Sequence, residues 1–274
     1  KYHFKIVPIS LNAEGSIDLN DLEKKINERT KFISLTHMSN VTGSITDFNI
    51  VREKVKNRNI PIMIDGCQFV AHDKLSVTNL DCDFYVFSGH KLYGPSGVGV
   101  LYMKDRWFDD FSPYQGGGDM IDKVDIYSTE FAKGYHKFEA GTPPIDPVIG
   151  LGASIDFINS INLEQIKNHE KFLLDYALNA LSDLDSIEIY GKSKNKGAII
   201  CFNIKNIHPN DLSAILDTKN IAIRTGHHCA QPLMNFLNIS SSARASFGVY
   251  NTADDIDFFI NSLKESIKFL NWGE

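Results

Sequence analysis

The sequence predicts an α/β fold: a large domain on a mostly parallel sheet over residues 1–150, then a smaller α+β domain over 151–274. Three observations carry this prediction. Short apolar runs close on polar pieces, as in Ile60-Pro-Ile-Met-Ile64 before Asp65-Gly-Cys-Gln68, and Asp83-Phe-Tyr-Val-Phe87 before Ser88-Gly-His-Lys91. Runs of that length bounded by Gly and polar residues read as buried strands. Stripes at helical spacing alternate with these runs, which implies right-handed crossovers and a mostly parallel sheet. From about Pro147 the order changes to long helical stripes followed by strands.

Taken in order, Lys5–Ile9 reads as a strand. Asp18 reads as an N-cap before Leu19, Leu22 and Ile26 at helical spacing. Lys31–Leu35 is the next strand, ending in the polar turn Thr36-His-Met-Ser-Asn-Val-Thr-Gly43. Phe48, Val51 and Val55 form a second helical stripe. The strands before Asp65 and Ser88 follow, then Val98–Met103 after the turn Gly94-Pro-Ser-Gly97. Residues 112–147 have little periodicity between Gly116-Gly-Gly118 and Gly141-Thr-Pro-Pro144, and read as a long functional loop with room for a hairpin. Helices are expected over 147–159 and 163–181, strands over 187–190 and 198–204, and a short helix near 211–216. A last helix spans 254–270, with Ile256, Phe259, Ile260 and Leu263 on one stripe.

Composition narrows the function. Hydrophobic residues make up 43% of the 274, enough for a sizeable core, and the net charge is −6 with no basic stripe, which argues against nucleic acid as a partner. No apolar stretch approaches a membrane span. The cysteines, Cys67, Cys82, Cys201 and Cys229, form no C-x-x-C and suit free thiols in a reducing compartment.

Strand ends of a parallel sheet are where ligands collect. An acid, Asp65, after one strand and a lysine, Lys91, after another frame an aromatic cation bound by imine chemistry. The bland alternative is a surface lysine; Gln68, Ser88 and His90 in register with it favour the first reading. Ser88, Gly89 and His90 offer donors to a phosphate. A second cluster is Gly226-His-His-Cys-Ala-Gln-Pro232, in which Arg224 and the adjacent imidazoles, His228 among them, favour a reactive Cys229. A buried structural thiol and a cysteine hydrolase stay open; consecutive His-His-Cys converges poorly on one ion, so no metal is assigned. Arg244, on an expected strand of small residues, suits bidentate capture of a carboxylate or an ordinary salt bridge. His37 and Asn40 are candidates for substrate contact, while Cys67 and Cys82 read as packing residues.

Several stretches together resemble the class V aminotransferase group, and within it the SufS-type (group II) cysteine desulfurases and selenocysteine lyases. They are THMSNVTG at 36–43, IDGCQ at 64–68, DFYVFSGHKLYGPSGVGVLY at 83–102, PYQGGGDMI at 113–121, HKFEAGTP at 136–143, IAIRTGHHCAQPLM at 221–234 and ARASFGVYNT at 243–252. The GHHCA form is that of this subgroup. The resemblance implies an aspartate-aminotransferase-like fold, pyridoxal 5'-phosphate as cofactor, a homodimer, and L-cysteine as substrate. It implies that Lys91 forms the Schiff base and serves as base at the substrate Cα. Asp65 would pair with the pyridinium nitrogen and Gln68 approach the phenolic oxygen. Ser88 and His90 would bind the phosphate, and Thr142 would reach that of a neighbouring subunit. Arg244 and Asn40 would hold the substrate carboxylate, and Cys229 would take the sulfur as a persulfide, leaving alanine.

The acceptor implied is a SufE-like protein rather than a zinc-binding SufU-like one, because His208-Pro209 is followed by Asn210 and not by a second His. The pathway implied is SUF-type iron–sulfur cluster assembly, in a bacterial cytoplasm or in a plastid stroma of the apicoplast kind. Family members carry roughly 100 or more residues ahead of the position matching Lys1, by the usual size of a two-domain enzyme. The expectation is therefore a chain lacking its N-terminal part, with phosphate-binding positions and a ring-stacking histidine among the residues that precede it. Selenocysteine lyase activity, a different reaction of the same cofactor group, and a non-catalytic fragment that only docks a sulfur acceptor are the alternatives.

Overall fold

The computed structural model describes residues 3–56 and 58–271. In chain order the elements are α1 (Leu19–Lys25), β1 (Ile33–Thr36), α2 (Phe48–Val55), β2 (Ile62–Asp65), α3 (Val77–Leu80), β3 (Phe84–Ser88), β4 (Gly99–Met103), β5 (Ile121–Val124) and β6 (Thr129–Phe131). They continue with α4 (Ile145–Ile161), α5 (Leu163–Ser182), β7 (Ile187–Tyr190), β8 (Ile199–Ile204), α6 (Pro209–Asp217), β9 (Arg224–Gly226), α7 (Gln231–Phe236), β10 (Ser242–Ser246) and α8 (Ala253–Leu270). The chain groups into two compact units, one of residues 29–36 and 55–162, the other of residues 1–28, 37–54 and 163–274.

The first unit is built on a four-stranded sheet in the order β1-β2-β3-β4. The first three strands run parallel, with Ile64 opposite Leu35 and Tyr85. β4 runs antiparallel to β3, from Phe84↔Met103 to Ser88↔Gly99. The link from Ser88 to Gly99 is too short for a crossover helix, so the strand must return antiparallel. Ile33, Ile62, Ile64, Phe84 and Tyr85 bury the sheet. At its N-terminal side the buried Asp83 carboxylate accepts from Ile62 N–H (2.9 Å), Trp107 Nε1–H (2.8 Å) and Arg106. Burial alone would raise its pKa; those donors outweigh burial and hold the carboxyl below the usual range. The expected hairpin in the long loop is present as β5 and β6.

The second unit carries the antiparallel sheet β7-β8-β10-β9. β8 is its covered centre and shows the two-residue period of a strand. Ala198, Ile200, Phe202 and Ile204 face one core with Leu173, Leu181, Leu212, Leu216, Ile256 and Leu263, whereas Cys201 faces a smaller cluster with Val41 and Met234. α5 and α8 supply their apolar stripes to the larger core. Their ends are set by local chemistry, most clearly in α8, where Thr252 and Asp255 form a reciprocal capping box. Asp18 caps α1 by accepting from Asn20 and Asp21 N–H, as its position in the sequence predicts.

One element differs. Lys5–Ile9, expected as a strand, joins no sheet among the described residues, and Ile6 is 88% exposed. A single extended run becomes a strand only where a neighbour takes its backbone groups.

Candidate active site

The first unit gathers Asp65, Gln68, Ser88, His90 and Lys91 at one edge of its sheet. β2 ends at Asp65 and β3 at Ser88, and because the strands are parallel and in register their ends lie side by side. A 3-10 turn over Gly89–Lys91 then carries His90 and Lys91 beyond β3, and both side chains are exposed. Asp65 is half-buried, and its Oδ1 accepts the Cys67 N–H at 3.0 Å. Gly66 is required here: a Cβ would lie 2.0 Å from the Tyr85 hydroxyl, beneath the strand ends. The Cys67 sulfur is 3.8 Å from Ser88 Oγ, and burial pushes its thiol up, so it sits within this group rather than in the deep core. Thr142 lies exposed in the turn before α4 and makes no hydrogen bond among the described residues.

The second unit gathers Asn40, Arg224, Arg244, His228 and Cys229. Asn40 sits in a turn closed by Ser39, whose hydroxyl accepts from Val41 and Thr42 N–H at 3.2 Å. Arg244 Nη1 donates to the Asn40 carbonyl at 2.8 Å, and Asn40 Nδ2 donates to the His228 carbonyl at 2.7 Å. Arg244 is directly cross-strand from Arg224. Neither has a carboxylate partner among the described residues, and Arg244 Nε is buried without a hydrogen bond. Burial first, and Arg224 second, lower the Arg244 pKa. Like charges placed opposite each other destabilise a sheet, and two guanidinium groups at one cross-strand position have the chemistry to hold an anion such as a carboxylate. Arg224 Nη2 donates to the Cys229 sulfur at 3.3 Å. Cys229 is the exposed member of the four cysteines. His228 is buried, and desolvation by burial, followed by Arg244, lowers it to about 4. The His37 ring is 5% exposed and packs edge-on against Phe48 at 5.4 Å.

Two features escaped the sequence. The cross-strand placement of Arg224 against Arg244 needs the register of β9 and β10, although the spacing of the two arginines around a Gly-His-His turn is a usable signal. Ser242, whose Oγ and carbonyl both meet His228 Nε2, carries no local signal beyond its place in a Ser-Ser-Ser run. Among the described residues no group of three His, Cys, Asp or Glu side chains could hold a metal.

An amine, a carboxylate, a hydroxyl and an imidazole at adjacent ends of parallel strands define an α/β protein suited to a phosphorylated, imine-forming aromatic cofactor. Residues 1–259 match the family described as Aminotransferase class-V, and the chain belongs to that family. It is 43% identical over 261 residues to a probable cysteine desulfurase of Halalkalibacterium halodurans, covering 95% of this chain and 64% of the relative. Among solved structures it is similar to the Escherichia coli cysteine desulfurase CsdA, with a TM-score of 0.92 and 34% identity over 96% of this chain and 65% of that one. It is also similar to a cysteine desulfurase of Thermococcus onnurineus, with a TM-score of 0.91 and 36% identity over 95% and 65%. The chain thus spans slightly less than two thirds of the proteins it matches. The family depends on pyridoxal 5'-phosphate, and the donor types at the ends of β2 and β3, an amine, a carboxylate, a hydroxyl and an imidazole, are ones that such a group could use.

Proposed function

We propose that the whole protein is a cysteine desulfurase that converts L-cysteine to L-alanine and carries the sulfur as a persulfide on Cys229. The observation that carries this reading is the exposed Cys229 thiol, held by Arg224 in the same unit as the cross-strand pair of Arg224 and Arg244. An aminotransferase-type reaction needs the arginines but has no use for such a thiol. The names of the relatives support the same activity.

When bound, pyridoxal 5'-phosphate supplies an electron sink that makes loss of the substrate Cα proton feasible. Lys91 holds the cofactor through its amine and accepts the Cα proton on Nζ. Asp65 keeps a proton on the ring nitrogen by opposite charge, and Gln68 serves the phenolic oxygen. Ser88 and His90 hold the phosphate, with Thr142 serving the neighbouring subunit of a homodimer. Arg244, Arg224 and Asn40 orient the substrate carboxylate; His37, expected as a further contact, is buried against Phe48 and is given no contact to substrate. Cys229 attacks the substrate sulfur; a sulfur–sulfur bond forms as the substrate's Cβ–S bond breaks, and the carbon product takes up two protons to become alanine, the one the Cys229 thiol gives up entering at Cβ and the one Lys91 returns entering at Cα.

The acceptor in this reading is SufE-like. In support, the Asn210 side chain is already engaged, its Oδ1 accepting from Thr225 Oγ1 at 2.8 Å, and the His208 Nδ1 accepts the Asn210 N–H. The sulfur then serves SUF-type iron–sulfur cluster assembly, in a bacterial cytoplasm or a plastid stroma. No helix among the described residues is long and apolar enough to cross a membrane. For the intact protein we keep a domain boundary near residue 150, because β7 to β10 all follow it.

The test is a visible spectrum with pyridoxal 5'-phosphate before and after borohydride, with Lys91→Ala beside it, then L-cysteine and detection of persulfide on the Cys229 peptide. A Lys91-dependent fixed chromophore followed by Cys229 persulfide supports the reading. Alanine release with Cys229→Ala at the wild-type rate refutes it.

A further inference from the structure

We propose that His228 is the positioning residue for Cys229: its buried ring, pinned through Nε2 to Ser242, holds residues 228 and 229 in a left-handed pair that brings the Cys229 sulfur to the Arg224 guanidinium. Its bearing on sulfur transfer rests on the desulfurase reading; the positioning itself does not.

The backbone poses the problem. His228 has φ +54° and Cys229 φ +59°, two consecutive residues with a Cβ in the left-handed region. Each such residue costs free energy and persists only where its surroundings over-determine it. Cys229 cannot supply that restraint, because it is exposed. The contact from Arg224, also exposed, is a surface contact of the kind that seldom orders a loop by itself.

His228 supplies the restraint from below. Its side chain is 2% exposed, and Nε2 lies 3.0 Å from the Ser242 carbonyl and 2.9 Å from Ser242 Oγ. A carbonyl only accepts, so Nε2 carries the hydrogen and Nδ1 the bare lone pair. Nδ1 has no partner among the described residues, which fits a ring kept neutral for anchorage rather than for proton exchange. The Ser242 hydroxyl is itself fixed between two sulfurs, accepting from Cys201 Sγ–H at 3.1 Å and pointing at Met234 Sδ at 3.7 Å. Cys201 is 0% exposed on β8, so the anchor reaches the centre of the sheet. Above the ring, Asn40 holds the His228 carbonyl, and the Ala230 N–H closes onto the His227 carbonyl at 2.8 Å. The turn is thus tied at its carbonyl and at its ring, and Cys229 is the residue left outside.

The test reads coupling, which a merely structural role would not produce. Alkylation of Cys229 by iodoacetamide is followed by peptide mass in wild type, His228→Leu and His228→Gln, each with and without Arg224→Gln. Glutamine places an N–H near Nε2, whereas leucine fills the space without a donor. Arg224→Gln is expected to change the Cys229 rate at least about threefold in wild type and in His228→Gln, because the guanidinium touches the sulfur there. In His228→Leu the same substitution should change it by less than about 1.5-fold, by the logic of a double-mutant cycle. An equal Arg224→Gln effect in His228→Leu and wild type, or no effect in wild type, overturns the proposal. If His228→Leu does not fold, His228→Phe, which keeps a ring without the Nε2 donor, takes its place and must weaken the coupling; full coupling in that variant is refuting. Coupling that holds in a protein forming no persulfide from L-cysteine leaves the positioning standing and removes the desulfurase reading.

Discussion

Acidification should weaken the second unit through His228, by an amount the structure sets. The ring has an ordinary value of 6.5 and is pushed down to about 4, first by desolvation, then by Arg244, with Arg224 and His227 adding to this and the bond to the Ser242 backbone opposing it. Between those values the unfolded chain binds the proton and the folded one does not. Stability is therefore whole above about pH 6.5 and is lost as pH falls toward about 4. The full difference is worth about 3 kcal/mol, of which about 2 kcal/mol is lost between about pH 7.5 and about pH 5. The assay is hydrogen exchange of the Ile200 and Phe202 amides on β8, which report opening of this sheet, in wild type and in His228→Gln. Carboxylates titrate in both proteins, so the difference between them isolates the imidazole. Wild type should lose about 2 kcal/mol more than the variant over that range. Equal losses would show that His228 is already charged in the folded protein, and would remove the neutral, Nε2-protonated ring from the account.

Three further outcomes follow from the packing and the arginine pair. Leu216→Ala, at a fully buried position of α6, should cost about 3 kcal/mol in urea unfolding, with exchange at Phe202 accelerated and that at Ile64 unchanged. Gly66→Ala should cost at least about 2 kcal/mol, since its Cβ would meet the Tyr85 ring at 2.0–2.2 Å; stability within error of wild type would show that the strand end relaxes freely. Arg244→Lys should raise KM for L-cysteine about tenfold or more while leaving any cofactor chromophore intact, because a single ammonium cannot reproduce a bidentate guanidinium.

Much of this fold was legible because its signals are local. The strands that end at Asp65 and Ser88 are short apolar runs between polar punctuation, and α8 carries its cap and its stripe within one window. The lysine, the carboxylate and their neighbours could be placed together because parallel strands bring their ends to one edge. What escaped is what depends on partners. Lys5–Ile9 is a short apolar run but has no neighbouring strand among the described residues, and β4 turns antiparallel because of a short link rather than any feature within it. β9 has only 3 residues, and no periodicity can be read in so short a run. The contact of His228 with Ser242 joins residues 14 apart and that of Cys201 with Ser242 residues 41 apart. Both pairs join separate elements, where no repeat within one helix or strand can report the contact, so only the assembled sheet reveals them.

The second unit places its unfavourable features together. Two arginines face each other across β9 and β10, one with a buried nitrogen that has no partner, and next to them two residues with a Cβ adopt left-handed backbone. Local propensity would choose none of these. They persist because β10 carries Ala243 and Ala245, beside Phe202 of β8, into a core closed by α5, α6 and α8, whose burial outweighs them. The two kinds of strain also differ in what relieves them. The left-handed pair is satisfied within the chain, by Ser242 and Asn40, and so gives the thiol a fixed place before any ligand arrives. The arginine pair has no carboxylate partner among the described residues, and an anion is what would offset its charge. In the desulfurase reading, a loop already ordered beside two like charges puts the cost of arranging the sulfur into folding and would leave the electrostatic gain to the substrate carboxylate, where orienting a small amino acid benefits from it.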